Sequence, residues 1–221
     1  MRLSVASLLA VLALTACSSA PPPADWKMNA VSLIEQFQSR WLEGDGKTAD
    51  IALDKARGEI AKTGRLDLLA RAELAACATR AAGLDFTACD GYTRIAGDAA
   101  ANDAAYARFL GGDWSGLEVK LLPAHYAALV GAKDDPTANR AVAEIKDPLP
   151  RLIAAALLFR NGRADPATLA TAIDTASERG WRRPLLAWLQ VQLQRAQAAG
   201  DSSATAQLQR RIDMVMRTTG K

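Results

Sequence analysis

Few side chains in this sequence are suited to chemistry, and they are scattered. His125, in Pro123-Ala124-His125-Tyr126, is the only histidine. A single histidine cannot build a histidine-rich zinc site, and the spacing of Cys77 and Cys89 from it matches no zinc-site type. A Cys–His nucleophile needs an activated thiolate, whereas Cys77 falls on an apolar helical face. Asp134-Asp135 has the form of a turn and helix cap rather than a catalytic pair. No His-Glu-x-x-His, Gly-x-Ser-x-Gly, phosphate-loop or calcium-loop pattern occurs. The expectation is a protein that is not an enzyme and holds no metal and no cofactor.

One group of side chains stands out by breaking a local rule. Arg182 and Arg183 precede Pro184 at the start of a helical pattern, where positive charge opposes the helix dipole at a cost of a few tenths of a kcal/mol. Arg179 belongs to the preceding helix end, where a cation is favourable. Arg179, Trp181, Arg182 and Arg183 are therefore candidates for binding an acidic partner or an anionic glycan; a solvated loop is the plainer alternative. The chain has five tryptophans among few aromatics. Core filling explains most of them, and Trp26, close to the N-terminal segment, is the exception.

The N-terminal residues form an address rather than a fold. Met1 and Arg2 supply a short positive region, and residues 5–14 are apolar except for Ser7. A bilayer span needs about 20 apolar residues, so this stretch fits a secretory signal instead. Leu14-Thr15-Ala16-Cys17 resembles the lipobox of bacterial lipoproteins. That resemblance implies removal of residues 1–16, acylation of Cys17 with chains such as palmitate, and a permanent membrane anchor. Ser18 after the cysteine is similar to the sorting pattern for outer-membrane delivery, on the periplasmic face. Ser18-Ser19-Ala20-Pro21-Pro22-Pro23 has tether composition. The expected organisation is a signal at 1–16, a lipidated tether at 17–25 and a helical domain at 26–218.

Composition agrees with export and narrows the partners. The formal charge is +3, and loss of Arg2 lowers it by one. Basic and acidic residues are interspersed, with no basic stripe for nucleic acid and no polybasic run for anionic lipid. With Cys17 acylated, Cys77 and Cys89 remain as an even pair, which in an oxidising compartment forms a disulfide; two buried free thiols are the alternative.

The elements that must position these residues are helices. Ala30, Ile34, Phe37 and Trp41 share a face, as do Ala49, Leu53, Ala56 and Ile60, and Leu66, Ala70, Leu74, Cys77 and Ala81. Asp135-Pro136, Asp147-Pro148 and Asp165-Pro166 combine a capping carboxylate with a proline suited to the first helical position. Gly44, Gly64, Gly83, Gly131, Gly162, Gly180 and Gly200 fall where the patterns stop. Short connections make antiparallel neighbours, so the fold class is all-α, as stacked helical hairpins. A helix over 98–110 is followed by turns around Trp114. A hinge near 111–116 between residues 26–110 and 117–218, and one continuous stack, both fit.

Three segments share a helix–glycine–helix form. In the first, Gly44, Ala49 and Ala56 resemble the spacing of small residues in tetratricopeptide hairpins. Gly162 and Ala167 match the first step only, and Gly200 is followed by Thr205 and Ile212. No clean repeat period runs through the chain. The resemblance implies a stack with a concave partner-binding surface. Taken together, the residues point to a lipid-anchored, non-enzymatic scaffold that holds an envelope protein, with a cell-wall-directed enzyme or ligand-binding lipoprotein as the alternative.

Overall fold

The computed structural model describes residues 24–217. The segment 1–16, Cys17 and the tether as far as position 23 lie outside the described residues, as does position 218. Among the described residues there are eleven α-helices and no strand. They are α1 (Asp25–Glu43), α2 (Gly46–Ala61), α3 (Leu66–Ala82), α4 (Asp90–Thr93), α5 (Ala101–Gly111), α6 (Ala127–Val130), α7 (Asp135–Glu144), α8 (Pro148–Arg160), α9 (Pro166–Glu178), α10 (Arg182–Ala198) and α11 (Ser202–Arg217).

The first hairpin forms where the glycine and alanine spacing predicts it. Gly44 ends α1 at φ 96°, a left-handed conformation that favours glycine. Asp45 then caps α2, its carboxylate accepting from the Thr48 N–H at 3.1 Å. Ala49, Ala52 and Ala56 are buried, and their small side chains let the two helices close together. After Gly162 the matching alanine, Ala167, is exposed. The spacing thus carries packing meaning in the first hairpin and not in that later segment.

Helix α8 lies at the heart of the molecule. Every side chain over 152–158 is buried, as a helix apolar on all faces must be. It packs against α3, α7 and α9. The order continues from α9 to α10, and α10 returns to touch α1, which itself packs on α3. In a linear solenoid each unit meets only its sequence neighbours; the α1–α10 contact departs from that layout.

The main hydrophobic core includes Phe37, Phe109, Tyr126, Leu157 and Ile212. It therefore spans both sides of 111–116. The chain at the start of that segment is also bonded to the C-terminal end of α8 and the residue after it: Arg160 Nη1 donates to the Leu110 carbonyl at 3.0 Å, and Asn161 Nδ2 donates to that of Gly112 at 3.3 Å. Trp114 stacks on Phe109 with centroids 5.4 Å apart and donates Nε1–H to the Phe109 carbonyl at 3.0 Å.

Two local expectations need correction. The cap of α7 is Asp134, not Asp135: the Asp134 carboxylate accepts from Thr137 N–H at 2.8 Å, while Asp135 accepts from Arg163 Nε at 2.6 Å. Gly83 and Gly131 also end their helices without a left-handed conformation, at φ −101° and −77°. The requirement at Gly83 is space, since a Cβ there would lie 2.7 Å from the Trp41 ring. The left-handed residue is the next one, Leu84, at φ 62°.

Candidate functional site

A cleft of about 830 Å³ lies between α3, α5, the start of α8 and the connection through residues 120–126. Helix α3 provides one wall because Leu74, Ala75 and Ala78 share a face with Arg71. Helix α5 contributes Asp103 and Tyr106, and the first two turns of α8 contribute Leu149 and Ile153. Asp147 is placed by its capping role, its carboxylate accepting from Leu149 N–H at 3.3 Å.

The polar centre of the cleft is a two-pronged ion pair. Arg71 donates Nε to Asp103 Oδ1 at 3.2 Å and Nη2 to Oδ2 at 3.1 Å. The Asp103 side chain is 8% exposed and that of Arg71 55% exposed, so the carboxylate is fixed inside while the cation reaches the opening. Hydrogen bonding to Asp103 raises the Arg71 pKa, against the desolvation that lowers it. Planar two-point pairing of this kind is the strong form of charge-assisted bonding.

The aromatic side of the cleft is tightly packed. The rings of Tyr106 and Tyr126 stack at 6.1 Å, and Phe109 sits 4.5 Å from Tyr126. Burial pushes the Tyr106 hydroxyl up to about 12 and holds that of Tyr126 well above its ordinary value. His125 packs edge-on against Tyr126 at 4.1 Å. Desolvation lowers its pKa, opposed by the charge of Asp147, which favours the neutral imidazole near pH 7. The cleft can therefore offer hydrogen bonds, one exposed guanidinium and an apolar wall. Among the described residues, no group of three His, Cys, Asp or Glu side chains could hold a metal ion.

A second, almost wholly apolar groove of about 280 Å³ adjoins it. Trp26, Val31 and Ile34 of α1 face Leu68 and Ala72 of α3 across it, and Arg71 and Ala75 line both cavities. The two meet along one face of α3, giving a trough that is apolar at the α1 start and polar at its far end.

Arg179, Trp181, Arg182 and Arg183 do not line this trough. Arg182 Nε donates to the Glu43 carbonyl at 2.9 Å, and Arg183 Nε donates to that of Trp41 at 3.0 Å. These are carbonyls of the last turn of α1, past the end of its regular hydrogen-bond ladder; that of Trp41 also accepts from the Gly44 N–H at 3.1 Å. The Arg183 guanidinium also lies 4.6 Å from the Trp41 ring centroid, and that of Arg179 lies 5.5 Å from Trp181. The cations that oppose the dipole of α10 thus complement the C-terminus of α1, which is the physical reason for the broken rule.

Cys77 and Cys89 are joined as a disulfide, with Cα atoms 5.9 Å apart. The bond ties the loop after α3 back onto that helix. Arg71, Asp103, Tyr106 and Tyr126 were not evident as a site from sequence. The one local signal is Arg71, a charge within the small and apolar stripe Leu68, Ala72, Ala75 and Ala78. The chain matches no protein-family model, no curated protein and no solved structure.

Proposed function

We propose that this chain is an envelope lipoprotein, cut before Cys17, acylated there and held at the periplasmic face of the outer membrane. Its helical domain is a non-enzymatic interaction module that holds an envelope protein in the Arg71–Asp103 cleft. The observation that supports this reading is the cleft's make-up, a fixed Asp103 carboxylate and an exposed Arg71 guanidinium beside an apolar wall. Such an open cleft suits a protein segment that brings both apolar and polar side chains. Its polar side chains also favour a second reading, a glycan-binding lipoprotein directed at the cell wall.

Site-specific photo-crosslinking in intact cells separates these readings. A photoreactive residue replaces Lys120 or Gln38, both on the cleft rim, or Asp50, which is exposed on α2 away from the trough. The scaffold reading predicts a discrete protein adduct from the first two positions and none from Asp50. Adducts to peptidoglycan would transfer the cleft to the second reading. Equal adducts from all three positions would remove the cleft from the account.

A further inference from the structure

The N-terminal end of α1, the C-terminal end of α2 and the N-terminal end of α3 gather at one pole of the domain. Ala30, Ile60 and Ala72, one from each helix, pack there as a small cluster separate from the main core, with Ile34, Leu68 and Leu69 against it. This is also the pole at which the described chain begins, at Ala24.

That pole is incompletely covered. Met28 is 48% exposed, Val31 53% and Leu66 43%. Trp26 sits half-buried at the mouth of the apolar groove. The neighbouring charges include internal pairs: Lys62 holds Glu59 at 2.7 Å, and Arg65 holds Asp67 at 2.6 Å. The pole therefore presents exposed apolar side chains around the ends of α1 and α3, interspersed with partly self-neutralised ions and with Lys27 and Glu35 at the groove. Large apolar side chains left exposed together at one end of a domain mark an interaction site. The chain itself indicates what covers it, because Cys17 precedes Ala24 by only seven residues. Fully extended, that stretch spans at most about 25 Å. A lipid anchor on Cys17 would keep Trp26 within reach of the headgroups, where tryptophan is favoured because its ring is apolar and its N–H is polar.

We infer that this pole docks on the lipid bilayer, with Trp26, Met28, Val31 and Leu66 seated among the headgroups. The inference rests on the proposed lipidation of Cys17. It orients the domain with α1 rising from the membrane and the polar cleft opening above the lipid surface. Attraction is by apolar insertion, so it does not depend on anionic lipid or low salt.

The test uses the mature protein, reconstituted into phosphatidylcholine vesicles whose acyl chains carry bromine close to the glycerol. Bromine quenches tryptophan only at short range. Trp41 lies fifteen residues farther along α1, about 22 Å away at 1.5 Å per residue. Docking predicts quenching in the wild type that is lost in Trp26→Phe and at least halved in Val31→Asp, equally at low and high salt. The urea midpoints of both variants should match the wild type, since both sites are exposed or half-exposed. Protein that floats with the vesicles but shows no quenching would overturn docking while leaving the anchor intact. Protein that does not float would overturn both. A vesicle-free dimer broken by Val31→Asp would assign the pole to a second copy and likewise overturn docking.

Discussion

Arg183 on α10 clamps Trp41 at the end of α1 in two ways at once. Its Nε donates to the Trp41 carbonyl at 3.0 Å, and its guanidinium lies 4.6 Å from the Trp41 ring centroid. Arg182 repeats the first contact at Glu43, at 2.9 Å. Trp188, farther along α10, donates Nε1–H to the Ala82 carbonyl at the end of α3, at 3.2 Å. Helix α10 thus crosses two helix C-termini and supplies donors to both. Hydrogen bonds from charged groups contribute about 1.5–3 kcal/mol, more than the few tenths lost at α10's own N-terminus. Arg183→Met should therefore lower unfolding stability by about 2 kcal/mol, read as an earlier urea midpoint. Arg183→Lys should recover only part of it, because an ammonium cannot both donate in the guanidinium's plane and stack on the ring. A midpoint unchanged in Arg183→Met would show that the clamp carries no stability.

A second long-range contact depends on a glycine. Glu73 is buried on α3 and is held by Arg57, which donates Nε at 2.6 Å and Nη2 at 2.8 Å. A Cβ on Gly91 would lie 2.1 Å from Glu73 Oε2, so the backbone of α4 rests directly on this carboxylate. Gly91→Ala must displace the pair or the helix and should cost about 1–3 kcal/mol, the usual range for overpacking. In a Glu73→Ala background the same substitution should cost well under 1 kcal/mol. Calorimetric melting of the four proteins gives the coupling directly; additive costs would mean that the close approach is relieved some other way.

Reduction should loosen the loop that follows α3. Cys77 and Cys89 are separated by 12 residues, and closing a loop of that size stabilises by about 3 kcal/mol in the chain-entropy estimate. The double variant Cys77→Ser, Cys89→Ser should unfold at lower urea by that amount. Dithiothreitol should shift the wild type by a similar amount and leave the variant unmoved. A reductant effect on the variant would point to some cause other than this bond.

The cleft aromatics predict behaviour at both ends of the pH scale. The Tyr106 hydroxyl is pushed up to about 12 by burial, so its folded-state value exceeds that of an unfolded tyrosine, about 10. The stability this represents is complete below about pH 10 and is lost as pH rises through about 12. Phenolate absorbance should stay low until the fold opens, then rise together with the loss of helical dichroism. His125 has the opposite sign: burial lowers its pKa, so the unfolded chain takes up a proton first. Its share of stability is whole above about pH 6.5 and falls away as pH drops below that. His125→Gln should flatten the midpoint profile between neutral and mildly acidic pH. Early phenolate formation in the folded protein would contradict the burial of these rings.

What could be read from sequence was local. The apolar period along α1 and α2, Gly44 in its left-handed cap, and Asp147 and Asp165 before their prolines act within a turn or two, and the structure has them in those places. The Asp134 cap shifted by one because Asp135 is drawn to Arg163, 28 residues away. The contacts that build the cleft and the clamp are far longer. Arg71 meets Asp103 across 32 residues, and Arg183 meets Trp41 across 142. No spacing rule links such positions, so Arg182 and Arg183 stood out in the sequence as unexplained charge. Only the fold supplies the helix end that they complete.

Every statement about where this domain sits depends on a lipid on Cys17, which mass spectrometry of the N-terminal peptide would reveal. Trypsin acting on the mature protein would release the segment from Cys17 to Lys27, the first lysine or arginine after the cysteine. Lipidation predicts that this peptide begins at Cys17, carries a diacylglyceryl thioether and an acylated amino group, and is absent from Cys17→Ala, which should leave the membrane fraction. A peptide running from Leu3 to Lys27, the tryptic product of the uncut chain, or one beginning at Cys17 with an unmodified thiol, would rule the anchor out.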